Sequence, residues 1–243
     1  MRNRLVLLPG WGLGTASLEP LAASLRAQDP GLQVTLMPMP ELDHCDVQGW
    51  VEHLDRKVPN DVWLGGWSLG GMLASALADK RGDHCCGLLT LASNPSFVAR
   101  ADWPHGMAED TFGTFLDGCR SHPSVTLKRF RTLCSEGAMQ PRTLLRQLGV
   151  GVPDTDPLYL ATALQVLAQL DTRAALEAFA GPQLHLFAGA DALVPAEAAQ
   201  ALSELLLDVE VGLVEDSSHA FVLEYPQELA SGIKSFLHES GDD

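Results

Sequence analysis

A chain of 243 residues, 46% of them hydrophobic, is long enough for one sizeable core and short for two independent domains. Its formal net charge of −15 would repel nucleic acid over most of the surface, and no apolar run approaches the ~20 residues of a membrane-spanning helix, so both are excluded as partners. The five cysteines are odd in number and show neither CxxC nor Cys/His zinc spacing, which points to reduced thiols in a cytoplasm and no metal.

Arg4-Leu5-Val6-Leu7-Leu8 has the continuous apolar character of a parallel strand covered on both faces. The run is too short for a signal-peptide core and breaks at Pro9-Gly10. Gly12, Gly14 and Ser17 in the following loop approach a dinucleotide fingerprint, with Glu41 as the ribose partner, but the third glycine is missing and bulky Trp11 fills the loop. The competing reading makes this loop a lender of a backbone N–H to an oxyanion hole.

Leu18, Leu21, Ala22 and Leu25 share a helical face, Gln33 to Met37 forms a second strand stopped by Pro38 and Pro40, and Val47, Trp50, Val51 and Leu54 mark another helix over 47–57. Val62-Trp63-Leu64-Gly65 then enters Gly66-Trp67-Ser68-Leu69-Gly70. A glycine-flanked serine is often only a tight turn. Here a buried strand precedes it and an Ala/Leu-rich helix follows, which makes it a G-x-S-x-G nucleophile elbow with Ser68 at the apex. Gly87 to Ala92 is a fourth strand, and the β-α alternation implies a parallel sheet with right-handed crossovers.

From Trp103 to Phe179 the alternation stops. The pattern is helical, interrupted by Pro123, Pro141 and Pro157 among others, with apolar anchors such as Phe112, Phe130, Leu144 and Leu164, and it reads as a helical cap over the Ser68 end of the sheet. Arg120, Lys128, Arg129, Arg131, Arg142 and Arg146 face only one acid, Glu136, in the stretch 120–146. That is either an ordinary solvated face or a positive patch for an acidic partner. Gln183 to Phe187 resumes the sheet, a helix spans Ala196 to Leu206, Val209 to Val214 is the last strand, and a final helix carries Leu229, Ile233 and Phe236. The expected division is a core of 1–102 and 180–243 with a cap of 103–179.

A serine hydroxyl needs a base to remove its proton, and imidazole suits that task near neutrality. Of eight histidines, His185 lies inside a strand and six lie in helices or peripheral loops; only His219 follows the C-terminal end of a strand, where ligands collect in open parallel sheets. Asp191, in the loop after the preceding strand, keeps the order serine, acid, histidine. Asp216 is its rival and fits better as a turn former. The N–H groups of Trp11 and Leu69 are the oxyanion candidates, and Trp67 either lines the acyl pocket or simply packs.

Pro9-Gly-Trp-Gly12, Trp63-Leu-Gly-Gly-Trp-Ser-Leu-Gly-Gly71, the stretch Leu91-Ala-Ser-Asn-Pro-Ser-Phe to Trp103-Pro104, Asp191-Ala-Leu-Val-Pro195 and Ser218-His219-Ala220 resemble the pimeloyl-[acyl-carrier protein] methyl ester esterases of biotin synthesis over nearly the whole length. The elbow is specific only to the superfamily; Ser-Asn-Pro-Ser-Phe to Trp-Pro narrows it. The resemblance implies an α/β-hydrolase fold, a mostly parallel sheet of about six strands with an inserted helical cap, no cofactor, and a cytoplasmic, monomeric serine carboxylesterase. It implies Ser68, Asp191 and His219 as the catalytic triad, with Trp11 and Leu69 at the oxyanion. It further implies Phe130, Arg131, Thr132, Leu133 and Cys134 along the acyl chain, and Arg129, Arg142 and Arg146 as contacts to an acyl carrier protein bearing a pimeloyl methyl ester. Pro9 departs from the family pattern, in which many relatives have His there, and the first strand corresponds to the third of the full hydrolase sheet. A general short-chain esterase or thioesterase is the alternative, because the triad does not choose its leaving group; a binding protein without turnover and a lyase are more remote.

Overall fold

A computed structural model describes residues 3–240. Six parallel strands form one sheet in the order β2-β1-β3-β4-β5-β6: β1 Arg4–Leu8, β2 Gln33–Leu36, β3 Val62–Trp67, β4 Cys85–Leu91, β5 Gln183–Ala188 and β6 Glu210–Val214. β3 is buried along its whole length, as its unbroken apolar and glycine content requires of a strand covered on both faces. Around the sheet lie α1 Glu19–Gln28, α2 Val47–Lys57, α3 Leu69–Arg81, α4 Glu109–Ser121, α5 Pro123–Ser135, α6 Pro141–Gln147, α7 Pro157–Gln169, α8 Arg173–Ala178, α9 Glu197–Leu205, α10 Phe221–Glu224 and α11 Pro226–Glu239.

The chain runs outward from β1 to β2 and then crosses to β3 on the other side of β1. Right-handed crossovers therefore put α1 on one face and α2, α3 and α9 on the other, and α11 packs against α1. The order reverses between β1 and β3. That switch point opens a crevice at the C-terminal strand ends, where the loop after β1 and Ser68 after β3 both lie.

Between β4 and β5 the chain departs from the sheet for α4 to α8. α4 packs on α5 and α7, and α5 on α6, while α8 packs against α3. Pro123, Pro141, Pro157 and Pro226 each occupy the first position of their helix, where the missing N–H costs no hydrogen bond. Asp156 adds a side-chain cap to the Leu158 N–H at 2.8 Å.

The two stems of this excursion are fastened to one another. Pro95 O accepts from Thr172 N at 2.8 Å; Asp171 receives Arg173 at 2.6 Å and Arg100 at 3.3 Å; and Arg173 also reaches Asp102 at 3.1 Å. Asn94, buried, accepts from the Trp103 indole at 2.8 Å and donates to His105 O at 2.6 Å, so the Ser-Asn-Pro-Ser-Phe to Trp-Pro stretch serves as the entry stem. The hydrogen bond from Arg173 holds the Asp171 carboxyl below its ordinary value of 3.8. A lowered carboxylate contributes stability that is complete above 3.8 and is lost as pH falls through the lower folded value. The Tm difference between wild type and Asp171→Asn is therefore expected to be constant from pH 7 to 5 and to shrink below about pH 4; a difference independent of pH would contradict this account of the clasp.

Candidate active site

Ser68 stands between β3 and α3 with φ 56° and ψ −123°, a left-handed conformation that few residues other than glycine adopt and that persists only where the surroundings enforce it. The neighbours do enforce it. A methyl group on Gly66 would lie 2.2 Å from the Gly70 carbonyl carbon, and one on Gly70 would lie 2.3 Å from Leu8 O, so strand, helix and the end of β1 meet nearly backbone to backbone. Ser93 Oγ donates to Ser68 O at 2.7 Å and Ser68 N donates to Leu91 O at 2.9 Å, which ties the elbow to β4.

Beyond β6 the chain turns at Asp216, φ 50°, and Ser217 closes the turn by donating to Val214 O at 2.6 Å. His219 follows, fully buried. Its Nδ1 lies 2.7 Å from Asp191 Oδ2, while Asp191 Oδ1 accepts the N–H groups of Leu193 at 2.8 Å and Val194 at 3.0 Å. Both oxygens of the carboxylate are thus committed. The bond fixes the tautomer with the proton on Nδ1, which leaves Nε2 as the lone-pair nitrogen. Nε2 is buried and has no hydrogen-bond partner. The rival Asp216 is exposed, and its carbonyl, not its carboxylate, is engaged, accepting from the Tyr225 hydroxyl at 3.3 Å.

Trp67 neither lines an open pocket nor merely fills space: its indole N–H donates to His219 O at 2.9 Å and its ring lies 5.6 Å from the imidazole. Trp11 is held by a 2.9 Å bond from its indole to Leu160 O of α7, with Phe130 at 4.9 Å and Phe115 at 5.7 Å edge-on to it. Phe130 is also 6.4 Å from the imidazole. An apolar aromatic wall therefore covers the histidine. Leu69 is the first residue of α3, and Gly10, next to Trp11, packs against Trp67 and Ser68, so the two segments offered as oxyanion donors adjoin at the serine. Gly12 and Gly14 lie under Leu127 and Pro153 of the cap; the loop that resembled half of a dinucleotide fingerprint is a seat for the cap.

Within α5, Phe130 and Cys134 are buried, Arg131 and Leu133 half-buried, and Thr132 points to solvent with its hydroxyl on Lys128 O at 3.1 Å. Burial keeps the Cys134 thiol protonated, raising it well above its ordinary value. Cys134 O accepts from Ala220 N at 3.1 Å, and Gly137, φ 86°, passes so close to Ala190 that a methyl group there would lie 2.2 Å from Ala190 O. The cap thus touches the loops of both Asp191 and His219. Arg129, Arg142 and Arg146 are exposed, and among the described residues none of the three is in an ion pair.

His185, the strand histidine, is buried and shares 2.7 Å with Thr90 Oγ1; burial pushes it down to about 3, so it is a neutral core group. Among the described residues no group of three or more His, Cys, Asp or Glu could hold a metal, and no helix is long and apolar enough to cross a membrane. Ser93 and Asn94, which brace the elbow and the cap stem, were not legible as such. The one local signal is the second glycine of Gly70-Gly71, because a methyl group on Gly71 would fall 2.1 Å from Ser93 Oγ.

A serine in a strained turn at the switch point of a parallel sheet, with a buried His–Asp pair in the loops after later strands of the same sheet, is the arrangement expected of a hydrolase. The chain belongs to the alpha/beta hydrolase family, matching its family model over residues 5–231. It is 33% identical to a pimeloyl-[acyl-carrier protein] methyl ester esterase of Aromatoleum aromaticum, over 94% of this chain and 96% of that one. It is 38% identical to a biotin biosynthesis bifunctional protein BioHC of Cellvibrio japonicus, over 97% of this chain but 47% of the relative, so the chain spans about half the length of that protein. Among solved structures, a bromoperoxidase from Bacillus anthracis has a TM-score of 0.83 at 18% identity, covering 98% of this chain and 92% of that one. An esterase from Exiguobacterium antarcticum has the same TM-score and identity, covering 97% and 92%. These two show the fold.

Proposed function

We propose that the chain is a serine carboxylesterase that removes the methyl group from the pimeloyl methyl ester carried by an acyl carrier protein, freeing the carboxylate for biotin synthesis. The observations that carry the chemistry are the 2.7 Å Asp191–His219 bond, which leaves Nε2 free, and a serine held at φ 56° in the elbow after β3. The relatives named for this reaction supply the substrate.

In this reading Ser68 Oγ attacks the ester carbonyl as Nε2 takes its proton, and Asp191 stabilises the imidazolium. The N–H groups of Trp11 and Leu69 receive the oxyanion. Nε2 then gives its proton to the departing methoxide, methanol leaves, and a water activated by the same nitrogen hydrolyses the acyl-enzyme. Trp11, Phe115 and Phe130 suit an aliphatic acyl chain, and residues 103–179 form the cap over it. Arg129, Arg142 and Arg146 face solvent without ionic partners among the described residues, as sites for an acidic carrier should. Each exposed pair is worth at most about 1 kcal/mol, so their effect is on encounter and register. The same reading makes the protein a monomer working in the cytoplasm.

The test compares the pimeloyl-carrier methyl ester with a small p-nitrophenyl ester. Wild type is expected to demethylate the carrier substrate and leave the thioester intact, and Ser68→Ala to do neither reaction. Arg142→Glu with Arg146→Glu should lower kcat/KM on the carrier substrate roughly tenfold or more at low salt while small-ester turnover stays within about twofold. Equal losses on both substrates would remove the carrier-docking role, and turnover of the small ester alone would leave a short-chain esterase.

A further inference from the structure

The turn that presents His219 is fastened at several points already described, yet Ser218, the residue before the histidine, is secured by a group that none of the motifs contains. Ser218 is fully buried, so both its N–H and its hydroxyl must find acceptors inside the protein. One atom serves both. Glu224 Oε2 accepts the Ser218 N–H at 2.9 Å and the Ser218 hydroxyl as well.

Glu224 is the last residue of α10, and the chain from Ser218 to Glu224 forms a closed loop with His219 inside it. Charge-assisted bonds of this kind are shorter and about twice as strong as neutral ones. The histidine is then gripped on two sides: Trp67 holds its carbonyl, and Glu224 holds the peptide N–H and side chain of its predecessor. Asp191 sets the tautomer but not the position of the backbone from which the ring hangs. Glu224 also borders a groove of about 410 Å³ between α6 and α10, next to Gln140, Thr143 and Tyr225, so the carboxylate is not sealed in an apolar pocket.

We propose that Glu224 is a positioning residue for His219, its carboxylate clamping Ser218 so that the imidazole keeps its approach to Ser68. This rests on the reading of His219 as the base. A reacting group displaced by about 1 Å loses on the order of 100-fold in rate, which is the scale on which a clamp of this sort acts.

The experiment measures kcat and KM for a small p-nitrophenyl ester in wild type, Glu224→Ala and Glu224→Gln, with every rate divided by the concentration of sites titrated by a serine-directed phosphonate. Glu224→Ala is expected to lower kcat per titrated site by roughly 10- to 100-fold with KM within about twofold. Glu224→Gln, whose amide oxygen accepts the same two bonds, should return kcat to within about threefold of wild type. A purely structural residue would lower the titrated fraction and leave kcat per site alone, and that result would overturn the proposal. So would a glutamine variant as impaired as the alanine one. If Glu224→Ala does not fold, Glu224→Asp, one methylene shorter, takes its place: a fall of about threefold or more in kcat per site supports the clamp, and no change overturns it. Wild type is the control for the triad itself, because absence of Ser68-dependent turnover there would sink the triad reading, whereas active Glu224 variants beside an active wild type would sink only the clamp.

Discussion

Asp191→Asn is expected to lower kcat by about 10⁴-fold with little change in stability, whereas Asp216→Asn should stay within about twofold of wild type. The first effect follows from the donors that surround residue 191. The N–H groups of Leu193 and Val194 claim one oxygen of the side chain. An asparagine would therefore turn its own oxygen to them and its NH₂ to His219 Nδ1. That nitrogen would have to become an acceptor, the ring proton would move to Nε2, and the base would lose the lone pair with which it takes the Ser68 proton. Asp216 is exposed with φ 50°, a conformation asparagine tolerates, and its carboxylate has no such task. Steady-state kinetics on a small ester decide the matter; comparable losses in both variants, or a large loss in Asp216→Asn alone, would mean that the acid has been assigned to the wrong loop.

The second large effect concerns folding. Gly66→Ala is expected to cost about 3 kcal/mol or more, because the new methyl group meets main-chain atoms of Gly70 and Gly71 at 2.2 to 2.5 Å and backbone cannot step aside as a side chain can. Gly113→Ala offers the contrast. It lies inside α4 with nothing within 4 Å of the added methyl group, and replacing a helical glycine there should raise stability by about 0.5 to 1 kcal/mol. Urea denaturation of the two variants against wild type tests both signs. A neutral Gly66→Ala would show that the close approach of strand and helix at the elbow is not obligatory.

Much of this architecture was legible because its signals are local and periodic. The apolar runs at Leu5, Val62 and Gln183 announce covered strands, and the spacing of Val47, Trp50, Val51 and Leu54 announces α2 at its observed limits. About six strands were expected and six occur among the described residues. In the cap, Pro123, Pro141 and Pro157 read as interruptions and are in fact helix starts, two descriptions of the same break in N–H donors. Asp191 and His219 could be chosen because each follows the end of a strand.

The braces could not be chosen in that way. Ser93 bonds to Ser68 across 25 residues, and Glu224 reaches back to Ser218 over a turn whose shape no periodicity encodes. Asn94, likewise, has an amide that joins Trp103 and His105 in the entry stem. Such roles depend on which side chains meet once the sheet has closed. The sequence shows the residue types but not the meetings. Thr132, grouped with its neighbours as a contact to the acyl chain, falls on the outer side of α5 for the same reason: in a helix, five consecutive residues cannot share one face.

The bond from Ala220 N to Cys134 O and the tight passage of Gly137 over Ala190 have a thermodynamic consequence. They make the histidine and aspartate loops part of the same packed body as α5, so a displacement of α5 changes the free energy of the catalytic arrangement, and the converse must hold to the same extent. Whatever settles on the outside of the cap and shifts α5 is then reported at the serine. In return, a change in the histidine and aspartate loops would alter the affinity of the outer surface of α5 for whatever binds there by an equal factor.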